Sequence, residues 1–420
     1  MPQPLDVARV RAEFPGLQRV QNGETVAFLD GPAGSQVPES VAQAVSNYLL
    51  HTNANRGASH ATSRESDATI EDAHRVLAEF LNADSPDEIV FGANMTSITF
   101  AVSRALAKTW QPGDEILLSR LDHDANVTPW VLAAQDAGAT VRHIDLRPED
   151  ATLDQEDFKR KLSERTKLVA VGYASNATGT INPLPEMLEA ARQVGAVTYI
   201  DAVHYAPHGL IDVVKLQCDF LVCSAYKFFG PHVGVLFGRG DRLRQVQPYK
   251  LRPAPNSIPG RWMTGTQNHE GIAGAAAAVH YLAGLGGQMV AAAEDSLRDR
   301  LSTSYGLLAQ HEQSLALQFL SGLQTLDGVR LHGISDLSRL SCRVPTFSLT
   351  FDRLNPAAVA EEMAKQGIFC WAGNHYALPF TEATDLEPHG TLRIGALHYN
   401  TADEVDRTLH CLERLLHQSP

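Results

Sequence analysis

The sequence is poor in cysteine, with five in 420 residues: Cys218, Cys223, Cys342, Cys370 and Cys411. An odd, scattered set excludes a disulfide framework. Apart from the loose Cys218/Cys223 pair it offers no metal-ligand spacing, so no metal site is expected and a reducing, cytoplasmic setting is. Long apolar runs are also missing. None approaches the roughly 18 residues of a membrane span. The opening Met1-Pro2-Gln3-Pro4-Leu5-Asp6 has no basic region leading into an apolar stretch, so no signal peptide is expected. Positive charge is not in excess: the formal net charge is −13. That balance argues against nucleic acid or an anionic membrane as partner. No internal repeat or low-complexity linker is present. No G-x-G-x-x-G run follows the first clear strand pattern, which argues against a nicotinamide dehydrogenase.

What remains is an ordinary globular chain, 44% hydrophobic and 20% charged, long enough for roughly two to three domains. Short apolar runs, β-branched in part and bounded by Gly, Asp or Pro, predict buried strands. They fall at 89–91, 115–118, 141–144, 167–171, 197–200, 220–223 and 233–237. Between them lie helical patterns, at 97–109, 127–137, 155–164 and 184–194. This alternation predicts a mainly parallel seven-stranded sheet covered by helices on both faces. After about residue 265 the pattern changes. Helical stretches at 271–285 and from Met289 to about Leu323 precede strands at 329–331, 345–351 and 368–371 and a last helix at 402–416. These predict a smaller α+β domain. The expected division is 21–290 for the large domain, with 1–20 and 291–420 forming the small one.

In an open parallel sheet, ligands sit beyond the carboxyl ends of the strands. Three such ends carry chemistry. Asn94-Met95-Thr96 opens a helix, Asp201-Ala202-Val203-His204 follows a strand, and Ser224-Ala225-Tyr226-Lys227 follows the next. Singly, each has a plain structural reading: an N-cap, a strand-end acid, a surface lysine. His123, in Leu121-Asp122-His123-Asp124, reads alone as a solvated loop histidine. Together they match what pyridoxal phosphate requires: an amine for its aldehyde, a carboxylate for its ring nitrogen and a helix terminus for its phosphate. An aromatic, turn-rich setting favours a desolvated lysine and Schiff-base chemistry. His204 and His208 have an i, i+4 spacing, but Pro207 between them argues against a helical zinc site.

On these residues the chain resembles the class V aminotransferases, of fold-type I, and among them the cysteine desulfurases. The resemblance runs from Phe28-Leu29-Asp30-Gly31-Pro32-Ala33 to Tyr399-Asn400-Thr401-Ala402-Asp403-Glu404. Its weight lies in Asp201 to His208, Asp219-Phe220 and Ser224 to Lys227. It implies that Lys227 holds the cofactor, that Asp201 partners the ring nitrogen and that His123 stacks on the ring. His204 falls where many desulfurases have a glutamine facing the ring hydroxyl. Thr96 and Ser224 match phosphate ligands, and Met95, where a second threonine is common, contributes at most its amide. Tyr226 replaces a usual histidine beside the lysine. Asn176 matches an asparagine near the substrate, and Arg393 the arginine that grips its α-carboxylate. Gly265-Thr266 resembles a pair that reaches the neighbouring subunit's phosphate, and Arg56-Gly57 a segment at the dimer-facing mouth. Both imply a homodimer with shared sites.

One position departs from the pattern. In Gly373-Asn374-His375-Tyr376-Ala377-Leu378-Pro379, Tyr376 stands where the family carries its nucleophilic cysteine, and tyrosine cannot carry a persulfide. Cys370 and Cys223 read as core residues. The expected function is therefore a pyridoxal-phosphate enzyme acting on a small amino acid, desulfurase-like but cleaving the C–S bond by β-elimination. The alternatives are an aminotransferase, an epimerase using His375 or Tyr376 as a second acid–base group, and a cofactor-binding interaction protein with little activity.

Overall fold

The computed structural model describes residues 4–286 and 296–418. The expected domain boundary at 290/291 and the start of the helical pattern at Met289 lie outside the described residues.

The large sheet has seven strands. In spatial order they are Ile89–Gly92, Gly234–Gly238, Phe220–Ser224, Val197–Asp201, Thr166–Gly172, Glu115–Ser119 and Thr140–Ile144. Gly234–Gly238 runs antiparallel to both its neighbours, and all other pairings are parallel. The inner strands are apolar on both faces because both faces are covered, while the edge strand Thr140–Ile144 alternates exposed and covered residues. Leu221 and Cys223 pack into one core cluster, and Phe220 and Val222 into the other. Helices Met95–Leu106 and Thr128–Ala137 cover the second face. Ala61–Leu81, Leu184–Gln193 and His269–Gly284 cover the first.

The small domain has a four-stranded antiparallel sheet, in the order Val329–His332, Thr346–Phe351, Thr391–Gly395, Trp371–Gly373. Helices Leu297–Leu323, Pro356–Lys365 and Ala402–Gln418 accompany it. Its core joins Phe319, Phe347, Val359, Met363 and Ile394.

The strand expected at 368–371 is two strands in two sheets. Ile368–Phe369 pairs in parallel with Ala27–Phe28, and Trp371–Gly373 pairs with Thr391–Gly395. Cys370 is where the chain changes partner, so one apolar run serves two registers. Near the other end of the chain, Phe14 packs edge-on against Phe229, Tyr281, His398 and Tyr399, and Arg11 pairs with Glu404 at 2.9 Å. The early segment is thus packed against both domains.

One glycine brings the domains together beside the site. Gly179 has φ +76°, and a Cβ there would meet the carbonyls of Val344 at 2.6 Å and Thr346 at 2.7 Å. Only glycine allows this approach, which seats the Asn176 loop against the small-domain strand. No helix among the described residues is long and apolar enough to cross a membrane.

Candidate active site

A cavity of about 410 Å³ opens between the two domains at the ends of the large-sheet strands. Eleven of the expected residues line it: Met95, Thr96, His123, Asn176, Asp201, His204, Tyr226, Lys227, His375, Tyr376 and Arg393. They come from at least six separate segments, so the fold, and not a local motif, assembles the site.

Lys227 ends a short 3₁₀ turn, Ala225–Lys227, directly after the strand Phe220–Ser224. Its amine is buried, donates to the Pro32 carbonyl and lies 4.9 Å from the centre of the Tyr226 ring. Burial pushes its pKa down to about 7; Arg393 adds to the fall, while Asp201 and Asp30 oppose it. A lysine near neutrality is a usable nucleophile and proton carrier. Asp201 closes its strand, and its Oδ1 accepts the Val203 amide at 2.9 Å. Burial raises its pKa to about 6, against the Val203 hydrogen bond and Lys227. His123 is held neutral: burial, then Lys227 and Arg393, lower its pKa to about 4. Its Nδ1 accepts the Ala125 amide at 3.0 Å, so the proton sits on Nε2. Half-buried Tyr226 stacks on His232 with centroids 4.8 Å apart.

Arg393 is buried on the strand Thr391–Gly395, and its Nη1 donates to the Asn176 carbonyl at 2.9 Å. Burial lowers its pKa to about 10, so it stays a cation. No carboxylate lies within ion-pair distance of it among the described residues. Asn176 donates to the His375 carbonyl at 2.9 Å, and its buried Oδ1 has no protein partner. His204 is buried with Nε2 3.0 Å from Thr346 Oγ1.

Four expected residues lie elsewhere. Ser224 is behind the wall, where its hydroxyl accepts the Met95 amide at 3.1 Å. That amide is therefore engaged within the protein, and Met95 meets the cavity otherwise than as a free N–H donor. Gly265 sits in a left-handed turn with φ +71°, and Thr266 lines a separate groove with Ser97 and Asn268. Arg56 is turned to Asp67 at 2.9 Å and Glu71 at 3.9 Å, away from this cavity.

Three neighbours escaped the sequence reading. Asp122 lines the cavity fully buried, bonded by Ser119 and by Asn126 at 3.0 Å. Burial first, and Asp201 among the lesser causes, raise its pKa to about 7. Asp30 has a buried Oδ1 without a hydrogen-bond partner; burial disfavours its charged form, which Arg393, the Trp371 side chain and Lys227 all favour. Trp371 lines the cavity and reads in the sequence only as a core aromatic. Adjacency to His123 was the one available signal for Asp122.

The residues fit pyridoxal phosphate. A depressed amine, a strand-end carboxylate, the N-terminus of the helix Met95–Leu106 and the orphaned Asn176 Oδ1 face one cavity. Among the described residues no group of His, Cys, Asp and Glu is placed to hold a metal.

The chain matches the Aminotransferase class-V family over residues 27–408. It is 31% identical to a cysteine desulfurase of Pectobacterium carotovorum subsp. carotovorum over 425 residues, covering 97% of this chain and 98% of that one. Among solved structures it resembles the apo cysteine desulfurase from Thermococcus onnurineus NA1, with a TM-score of 0.87 at 26% identity, over 99% of this chain and 100% of that one. It also resembles the cysteine desulfurase CsdA, in S-sulfonic acid form, from Escherichia coli, with a TM-score of 0.83 at 26% identity over the full length of both. Matched over nearly its whole length and folded as these proteins are, the chain belongs to the class-V aminotransferase family, a family of pyridoxal-phosphate-dependent enzymes.

Proposed function

We propose that this enzyme cleaves the Cβ–S bond of a cysteine-type amino acid by β-elimination, with pyridoxal phosphate on Lys227 and without a persulfide-carrying cysteine. The observation that carries the reading is the residue at the cavity mouth. The Tyr376 ring, not a thiol, lies parallel to His123 at 5.5 Å. None of the five cysteines, all of them described, lines the cavity. Cys370 packs 3.8 Å from Met363 Sδ, and burial pushes its thiol up to about 12, so it is a poor nucleophile.

Lys227, Asp201 and His123 would hold the cofactor, which when bound would supply an electron sink for the Cα bond that breaks. The protein does the rest. Arg393 binds the α-carboxylate and fixes which Cα bond faces the lysine. Lys227, released by the substrate amine, takes the Cα proton on Nζ and returns it as needed. Asp201, ionised at neutral pH, holds a proton at the ring nitrogen. Neutral His123 offers a flat, uncharged face with Nε2–H as donor. A homodimer is part of the reading, with Arg56, Gly265 and Thr266 serving the neighbouring subunit's site.

Product analysis tests it. Pyruvate with sulfide or thiol supports elimination. Alanine with persulfide would replace it by desulfuration, and a keto acid retaining the substrate side chain by transamination. Cys370→Ser is expected to keep pyruvate formation within about threefold; a loss of a hundredfold would restore a thiol to the mechanism. The amine itself gives a pH test. Cofactor-free protein should take up pyridoxal phosphate faster as pH rises through about 7, because only uncharged Lys227 attacks the aldehyde. The initial rate is expected to rise about fivefold from pH 6 to 7 and less than about twofold from 7 to 8. Stopped-flow absorbance reads this directly. A rate still climbing tenfold per pH unit above 8 would mean an ordinary lysine.

A further inference from the structure

The cavity opening is framed by two aromatic side chains that the catalytic steps do not require. Trp371 is 55% exposed, while the other three tryptophans are at most 9% exposed. Tyr376 is 72% exposed. Both line the catalytic cavity. Large aromatic surfaces that a chain leaves uncovered at its cavity mouth mark a contact surface.

Their placement is built. Trp371 pairs directly opposite Arg393 in the antiparallel sheet. Directly opposed residues carry their side chains on one face, with Cβ atoms about 4.5–5.5 Å apart. The indole therefore stands beside the carboxylate-binding guanidinium. Tyr376 is stacked on His123, 13° from parallel. His375 and Tyr376 both have left-handed backbones, φ +57° and +56°, an uncommon state for residues with a Cβ. Hydrogen bonds hold them there. Asn176 Nδ2 donates to the His375 carbonyl at 2.9 Å, and the Asp124 amide to the Tyr376 carbonyl at 2.6 Å. The Tyr376 amide donates to Asn374 Oδ1 at 3.1 Å, and His375 Nε2 to the Thr391 carbonyl at 3.1 Å. Main-chain bonds, not burial, hold the tyrosine ring at the opening.

Charge is confined to the inner part of the cavity. Its lining carboxyls, Asp122 and Asp201, and its lining cations, Lys227 and Arg393, are all buried. The stretch from Trp371 to Tyr376 contributes none. A substrate anchored by its carboxylate at Arg393 thus extends its side chain past aromatic faces, with no charge of this chain to meet there.

We infer that the substrate is a cysteine S-conjugate whose sulfur bears an apolar group, an aromatic one by preference, received between Trp371 and Tyr376. The inference rests on the lyase reading above. The Cα proton passes to Lys227, the Cβ–S bond breaks, and its electron pair leaves with sulfur. The thiolate takes up a proton and departs as a thiol. Water releases the remaining three carbons as pyruvate, with ammonium. No oxidant or reductant enters.

The test uses the cofactor-loaded full chain with S-benzyl-cysteine and S-methyl-cysteine, read by pyruvate formation and by calorimetric binding. S-benzyl-cysteine is expected to lead by at least about tenfold in both kcat/KM and affinity. Trp371→Ala should erase most of that lead, and Trp371→Phe should keep most of it, with cofactor absorbance retained in both. Equal values for the two substrates, or an equal fall for both in Trp371→Ala, overturns the inference. Pyruvate from both without preference leaves the lyase reading standing and removes the aromatic site. A benzyl preference in binding that Trp371→Ala abolishes, with no pyruvate from either substrate, keeps the aromatic site and removes the lyase reading.

Discussion

Lys227→Ala is expected to lower turnover by about 1000-fold or more, because it removes both the cofactor's attachment and the proton carrier. The absorption band of the lysine-linked cofactor should vanish with it. The fold should survive. The wild-type amine is buried, its charged form is disfavoured there, and alanine introduces no new buried polar group. Thermal unfolding of the cofactor-free variant is therefore expected to match or exceed that of the cofactor-free parent. Turnover, spectrum and unfolding together check the assignment. An unchanged absorption band in the purified variant would place the cofactor on another residue.

Arg393→Ala is the second large effect. The guanidinium is buried, holds the Asn176 carbonyl at 2.9 Å and, among the described residues, has Asp30 near it but no carboxylate within ion-pair distance, so it is free to take an anion. Truncating one member of a buried charged pair costs about 2–5 kcal/mol, or roughly 30- to 5000-fold in kcat/KM. The loss should appear first in KM. Arg393→Lys should recover part of it, since a point charge replaces a planar fork. Cysteamine, which lacks the carboxylate, should be an equally poor substrate for parent and variant. Steady-state kinetics on the two substrates read the difference. A kcat/KM for cysteine within threefold of the parent would remove Arg393 from carboxylate binding.

Much of the site was legible because the signals were local. Lys227, Asp201 and Met95-Thr96 each follow a strand end, and a parallel sheet gathers its strand ends on one edge. Most of the large-sheet strands were legible for a similar reason: burial on both faces leaves short apolar runs, whereas the edge strand Thr140–Ile144 shows itself by alternation. What failed was long-range. The run 368–371 reads as one strand, yet Phe369 pairs with Phe28 and Trp371 with Arg393. Nothing within the run records that its two halves have different partners. Trp371 was missed for the same reason, since an aromatic in an apolar run reads as core until its cross-strand partner is known. Asp122 stands beside His123 in the sequence with no signal of its own, because burial of an acid leaves no mark in composition. The Met95 amide was assigned outward, and the Ser224 hydroxyl that takes it is 129 residues away.

The pairing of Ala27–Phe28 with Ile368–Phe369 has a consequence for how the chain is made. Asn400 donates to the Phe28 carbonyl across a separation of 372 residues, and the Arg393 strand lies between those two late segments. Chains fold as they emerge, their earlier portions first. The sheet that presents Asp201 and Lys227 has all its strands once Gly238 is out. Residues 27–30 must wait for nearly the whole of synthesis to find their partners. The Arg393 that helps depress the Lys227 pKa is thus made near the end, and the segment leading to Pro32, whose carbonyl the amine meets, waits for the same late strands. A chain that stops short of Gly395 carries the lysine without the surroundings that make its amine reactive.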